Sequence, residues 1–184
     1  MLVHLGYTMT MKLQIIIGST RPARKGPMVA RYVEQIAKNN NKFTEVELLD
    51  LVDYNLPLLD EVEMPSTGIY AHEHTKKWSA KISEAQAYIF VTPEYNAGYP
   101  ASLKNAIDYL YKEWGDKPAG IISYGGRSGG KNSADGLVKV LNKIGMKVVE
   151  PQVNIVRFTE IFDQNEMLID DSYTISIKAV VDKL

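Results

Sequence analysis

Cysteine is absent from the 184 residues. That removes disulfide frameworks, thiolate nucleophiles, zinc ribbons and iron–sulfur clusters, and leaves the redox compartment open, since no framework demands an oxidising one. Histidine is scarce, with His4, His72 and His74 making up the whole set. No stretch approaches the roughly 18 consecutive apolar residues of a membrane span. The first ten residues are mildly apolar but lack the basic region and long apolar core of a signal peptide, so the expected location is the cytoplasm. Neither sign of charge is in excess. A net charge of −1 gives no reason to expect nucleic acid, and no strongly acidic face for docking onto basic partners. There is no internal repeat, low-complexity run or interdomain linker.

What is present is ordinary globular material: 45% apolar and 23% charged, enough for a substantial core. Residues 1–11 read as an N-terminal extension and a candidate for disorder, with Met9 or Met11 as an alternative start. Residues 12–184 read as one domain. Lys12 to Gly18 is a short apolar run ending in glycine, a buried strand. A helix follows from about Pro27 to Asn39, with Val29, Val33, Ile36 and Ala37 on one face. Phe43 to Leu49 alternates as a second strand. A long loop from Val52 to about Ala71 carries Pro57, Pro65 and Gly68, a length that suggests function or mobility. His74 to Glu84 reads as helix and Ala87 to Val91 as the third strand.

After Pro100, Leu103, Ala106, Ile107 and Leu110 have helical spacing. Lys117 to Ser123 is the fourth strand, followed by a glycine-rich loop, Tyr124 to Lys131. Ala134, Leu137, Val138 and Leu141 mark a helix stopped near Gly145. Met146 to Val149 begins a fifth strand, and a last helix covers roughly Ser172 to Lys183. Five strands alternating with helices predict an α/β fold: a doubly wound parallel sheet, helices on both faces, joined by right-handed crossovers. The length suits the flavodoxin-like order 2-1-3-4-5 better than a six-stranded dinucleotide domain.

In that fold the loops after the first, third and fourth strands emerge at one sheet edge, where ligands bind. The first, Gly18-Ser19-Thr20-Arg21-Pro22-Ala23-Arg24-Lys25-Gly26-Pro27, offers hydroxyls, three cations and N–H groups at a helix start, which suits a phosphate. Arg21 would fork onto two oxygens, with Lys25 or Arg24 as a point charge; a solvated basic loop is the plainer alternative. GxGxxG is missing, so a mononucleotide fits better than a dinucleotide. In the second loop Pro93 ends a strand and Pro100 opens a helix. Between them Glu94, Tyr95, Asn96 and Tyr99 either hold a flavin ring or form an ordinary connection with surface tyrosines. In the third, Ser123-Tyr124-Gly125-Gly126-Arg127 lets the backbone come close to a flat ring. Tyr95, Tyr99 and Tyr124 offer stacking surface, though core or interface packing is as natural for each.

The three loops together, GSTR, TPEYN and SYGG, with an NAIDYL helix after the second, resemble the NADPH-dependent FMN reductase family. The resemblance runs from Lys12 to about Val149. It implies a flavodoxin-like fold, FMN as cofactor, NADPH or NADH as co-substrate, and reduction of small acceptors such as quinones, azo compounds, free flavin or metal oxyanions. It also implies a homodimer or dimer of dimers, for which Tyr109, Tyr111 and Trp114 would supply surface unless they pack internally. By the same similarity Ser19, Arg21, Lys25 and Gly26 surround the FMN phosphate. Pro93, Glu94, Tyr95 and Asn96 border the isoalloxazine, and Ser123, Tyr124, Gly125 and Gly126 line its other edge. Where many relatives have a serine late in the first loop, this chain has Lys25-Gly26-Pro27. Flavin N5 carries the hydride in a ping-pong cycle, so no side-chain nucleophile or base is required. The runner-up is a flavodoxin-like electron carrier or flavin-binding partner without its own turnover. The basic first loop and near-zero net charge favour the enzyme.

Other motifs weigh less. Gly126-Arg127-Ser128-Gly129-Gly130 matches a nucleophile elbow in a strand–loop–helix context, but every histidine precedes Ser128, against the hydrolase order. Gly130-Lys131-Asn132 is a near miss for a P-loop, with asparagine in the magnesium-binding position. His72 and His74, two apart, would diverge on a helix, and no metal site is expected. Asp60, Glu61, Glu63, Asp170 and Asp171 read as exposed loop charge. Asp50 and Asp53 remain open.

Overall fold

The computed structural model describes residues 11–184; of the expected N-terminal extension only Met11 lies within them. The elements run β1 (Lys12–Ile17), α1 (Gly26–Lys38), β2 (Glu45–Asp50), α2 (Leu51–Tyr54), α3 (Glu73–Ser83), β3 (Ala87–Pro93), α4 (Ala101–Asp108), β4 (Pro118–Tyr124), α5 (Lys131–Lys143), β5 (Lys147–Val148), β6 (Val153–Ile155) and α6 (Thr174–Lys183). Every strand pairing is parallel, in the order β2-β1-β3-β4-β5, with β6 also on β4. This is the flavodoxin-like order expected from the sequence.

Side chains alternate across each strand, and the sheet sorts them into two cores. Leu13, Ile15 and Ile17 of β1 face α1 and α6, where Met28, Val29, Val33, Ile177 and Val181 meet them. Ile16 faces the other way, with Trp78 and Ile82 of α3, Leu103 and Ile107 of α4, and Leu137 and Leu141 of α5. β3 is central and covered on both faces, so all seven of its residues are buried, which is why it reads as an unbroken apolar run.

The sheet departs from expectation at its far edge. In place of a single fifth strand over Met146 to Val149, β5 pairs only with Pro118 and Ala119, and β6 returns to pair with Ile122, Ser123 and Tyr124. Pro151 between them has no N–H to donate, so the ladder cannot run through. β6 is too short to show periodicity.

Past the end of α4 two of the three aromatic rings take the internal alternative. Tyr109 and Trp114 are buried within the chain and only Tyr111 stays open, at 43% exposure. Trp114 Nε1 donates to Ile107 O at 3.1 Å and Trp78 Nε1 to Ala106 O at 2.8 Å, so these rings secure α4 to the sheet. Among the described residues no helix is long and apolar enough to cross a membrane.

The 52–71 loop is tied down. Asn105 of α4 receives Leu59 N at 2.9 Å and donates to Pro57 O at 2.6 Å, and Tyr109 donates to Asp60 Oδ1 at 2.9 Å. Glu61 caps the start of α3 through the N–H groups of Ala71 and His72.

Candidate functional site

β1, β3 and β4 end at the same edge, and their loops enclose a cleft of about 250 Å³ lined by Arg21, Arg24 and Lys25, by Pro93, Glu94 and Tyr95, and by Tyr124, Gly125, Gly126 and Phe158. The first loop is anchored where it leaves the sheet: Gly18 N donates to Val91 O at 2.9 Å and Ser102 Oγ to Gly18 O at 2.8 Å. Arg24 lines the cleft, but its guanidinium is forked onto Asp50, at 2.5 and 2.6 Å, while Nη1 also holds Ser19 O at 2.9 Å. Arg24 is thus a strut for the loop, with Asp50 as its footing. Lys25 reaches Glu166 at 2.9 Å. Arg21 makes no ion pair with a described residue, and the N–H groups of Thr20, Arg21, Lys25 and Gly26 are free of described partners. A cationic loop with spare backbone donors at the start of α1 is chemistry for a phosphate.

Ser19 is buried, with Oγ 3.3 Å from the Tyr124 hydroxyl. A side chain at Gly26 would meet that Oγ at 2.6 Å. Ser19 and Gly26 therefore form the packed corner behind the cleft rather than its wall. Burial pushes the Tyr124 phenol up to about 12, so it stays protonated.

The second loop is a tight turn: Tyr95 N donates to Gly98 O at 2.8 Å and Gly98 N to Tyr95 O at 3.0 Å. Asn96 and Ala97 take φ of +50° and +63°, as a hairpin turn with two left-handed residues requires. Asn96 shapes this turn and stands outside the cleft lining, while Tyr95 is brought into it. The Glu94 carboxylate accepts from Asn132 N at 3.0 Å and Asn132 Nδ2 at 3.1 Å, so it caps α5. Tyr99 lies against Gly136 of α5, outside the cleft.

In the third loop the Ser123 hydroxyl is spent internally: it donates to Gly129 O and accepts from Asn154 Nδ2, both at 2.7 Å. Gly129, at φ +61°, sits so close to the Asn154 backbone that a Cβ would come within 2.7 Å. Gly130, the second glycine of the apparent nucleophile elbow, takes φ +80° and would bring a Cβ to 2.9 Å from Tyr124 O. Lys131 of the apparent P-loop pairs along its own helix with Asp135, at 2.8 Å. The seam to β6 continues through Gly125 N to Ile155 O at 3.2 Å and Arg157 N to Gly126 O at 2.8 Å. It brings Phe158 into the cleft, edge-on to Tyr124 at 5.1 Å. Phe158 and the roles of Asn132 and Asn154 had no signal in the sequence; Asp50 had one, its place at the carboxyl end of β2.

A larger hollow of about 460 Å³ lies beside this seam, walled by Arg127, Val156, Arg157, Glu160, Asp170 and Tyr173. Its charges are mixed, Arg127 and Arg157 beside Glu160 and Asp170, so the chemistry favours the smaller cleft with its cationic loop. The histidines are elsewhere. His72 and His74 do not diverge, because His72 precedes α3 in extended backbone; their rings stack at 5.2 Å and His74 lies 3.0 Å from Asp60. Among the described residues no cluster could hold a metal ion.

The fold and this cleft define a flavodoxin-like protein with a cationic loop beside an aromatic- and glycine-lined slot. The family model for NADPH-dependent FMN reductase matches residues 11–160. An NAD(P)H-dependent FMN reductase of Schizosaccharomyces pombe is 45% identical over 141 residues, 76% of this chain and 70% of the relative. A quinone reductase of Pseudomonas putida is 30% identical over 176 residues, 92% and 90% of the two chains. In structure, the flavoenzyme NAD(P)H:(acceptor) oxidoreductase FerB of Paracoccus denitrificans superposes with a TM-score of 0.77 at 22% identity, covering 95% of this chain and 94% of that one, a likeness of fold. The chain belongs to the NADPH-dependent FMN reductase family. It is an oxidoreductase that works with FMN and NAD(P)H.

Proposed function

We propose that the chain passes hydride from NAD(P)H to a small acceptor by a ping-pong mechanism, with quinones, azo compounds, free flavin and metal oxyanions as the acceptor class. When bound, FMN supplies the hydride chemistry at N5; the protein supplies orientation and electrostatics. Arg21, Lys25 and the free N–H groups of the first loop hold the phosphate. Pro93, Glu94 and Tyr95 border the ring on one side, Tyr124, Gly125 and Gly126 on the other, and Phe158 closes the end. Ser19, Gly26, Asn96 and Ser123 hold these walls in place. The observation that carries the reading is that one cleft joins a cationic loop with spare backbone N–H groups to walls made of Tyr95, Tyr124, Gly125, Gly126 and Phe158. In the proposed pose the loop takes the phosphate and the walls take the ring, with one ring face left for two substrates to use in turn.

The experiment is an anaerobic visible spectrum of the FMN-loaded protein before and after NADPH. Bleaching, with colour restored by a quinone, is the expected result. Bound flavin indifferent to both nicotinamides would make the chain a carrier instead.

The same proposal includes a homodimer and a cytoplasmic location. Leu58, Val62, Met64 and Ile69 are 63–90% exposed on a loop tied to α4, an apolar surface already ordered for a second copy. Sedimentation of monomer alone at micromolar concentration would reject the dimer.

A further inference from the structure

The segment between β6 and α6 crosses the cationic end of the cleft and carries a carboxylate to it. Beyond Phe158 a second hollow of about 250 Å³ has Lys25, Phe158, Asp163 and Glu166 in its wall, so Lys25 and Phe158 belong to both spaces. Glu166 Oε1 is 2.9 Å from Lys25 Nζ, and Oε2 is 3.5 Å from Arg31 Nη2. The carboxylate is presented by a turn built for it. Asp163 Oδ1 accepts from Asn165 N and Met167 N, both at 2.8 Å. Glu166 N donates to Asp163 O at 3.0 Å, which holds Glu166 at φ +62°. Ile161 and Phe162, both buried, fix the base of the turn in the core. Lys25 keeps the Glu166 carboxyl below its ordinary range, so it is charged at neutral pH.

The consequence is a count of uncompensated charge. Arg24 is matched by Asp50 and Lys25 by Glu166, which leaves Arg21 as the cation of this loop without a described acidic partner. A flavin phosphate, near −2 at neutral pH, must share Lys25 with a carboxylate or displace it. We propose that Glu166 competes with the cofactor phosphate for Lys25, and so sets how tightly the chain holds FMN and how strongly it prefers FMN to riboflavin. This rests on the FMN reading of the cleft.

The test is a fluorescence titration of the full chain, freed of flavin, with FMN and separately with riboflavin. Wild type, Glu166→Gln, Lys25→Met and the double variant are compared. Removing one negative charge several ångströms from a dianion in a watery setting corresponds to about fivefold in affinity at low salt. Glu166→Gln is expected to tighten FMN by about that factor and to leave riboflavin unchanged. The gain should fade in high salt and be smaller when Lys25 is already methionine, where only the direct repulsion from Glu166 remains to be relieved. Glu166→Asn, which suits the left-handed backbone, should reproduce it, so a folding defect in one variant does not decide the matter. Unchanged or weaker FMN binding in both variants overturns the inference, as does an equal gain for riboflavin, which would make the segment between β6 and α6 a steric gate. Wild type that binds neither flavin is a different failure, that of the FMN reading itself, and removes the basis of the inference.

Discussion

Replacing Arg24 with methionine tests whether the first loop is held by an internal strut. The guanidinium makes two bonds to Asp50, at 2.5 and 2.6 Å, and one to Ser19 O at 2.9 Å, and the two side chains are 17% and 19% exposed. Truncating one partner of a buried pair costs about 3–5 kcal/mol, because the other charge is left uncompensated. Partial access to water reduces that here, and a lost bond to a carbonyl adds about 1 kcal/mol. The net expectation is about 2–3 kcal/mol. A chain of 184 residues loses about 2–4 °C of Tm per kcal/mol, so Arg24→Met should melt about 4–12 °C lower. Thermal unfolding of Arg24→Met, Asp50→Asn and the double variant provides the assay. If the strut is real, the double variant loses less than the sum of the two, since the second change removes the charge that the first had stranded. Additive losses, or a Tm drop below about 1 °C, would refute the reasoning and return Arg24 to the set of free phosphate ligands.

Three further outcomes are expected. Ala97 holds a left-handed φ of +63°, so Ala97→Gly should stabilise the chain by about 0.5–1 kcal/mol in urea unfolding; a loss would mean the turn relies on the methyl group. Gly129→Ala places a Cβ 2.7 Å from the Asn154 carbonyl carbon and should cost about 2 kcal/mol or more, with FMN affinity falling as the seam to Phe158 opens; full binding and unchanged melting would contradict this. Lys12 reaches Glu45, Glu47 and Glu84, each at 2.8 Å. Burial alone would raise the Glu47 carboxyl, but hydrogen bonds from Lys12, Lys81 and Gln14 outweigh it and lower it; Lys12 and then Lys81 lower Glu84. Stability from such depressed groups is present above their ordinary 4.5 and is lost as pH falls through the lower folded values. The stability gap between wild type and Lys12→Met should therefore narrow from pH 7 towards about pH 3; an unchanged gap would refute the network's role.

The order of the sheet was legible because β1, β3 and β4 are buried on both faces and announce themselves as apolar runs between helical periodicities, while β2 shows the alternation of an edge strand. Its closing edge was not, since β5 and β6 owe their pairing to where the chain returns rather than to their own pattern. The cleft was legible as three loops, because proline, glycine and clustered cations restrict backbone and charge locally. Which polar side chains turn inward to brace those loops was not legible. Ser19, Ser123 and Arg24 are polar residues in the right loops, yet their partners, Tyr124, Asn154 and Asp50, come from distant points of the chain. Phe158 sits in an unpatterned stretch, and only the seam with Gly125 and Gly126 makes it a wall. Tyr109 and Trp114 stood open between surface and core for a similar reason: aromatic residues at a helix end are not assigned to either until the neighbouring strand is placed.

The split pairing along β4 bears on how copies of this chain behave when crowded. A long straight outer strand is a template onto which another strand can add. Here one border of the sheet is broken into a two-residue and a three-residue piece with Pro151 between them. The opposite border, β2, carries Glu45 and Glu47. Neither border offers an uninterrupted, uncharged ladder, so stacking of sheets edge to edge is discouraged at both ends. The interruption that hid the last strands from the sequence pattern also protects the folded chain from open-ended self-association.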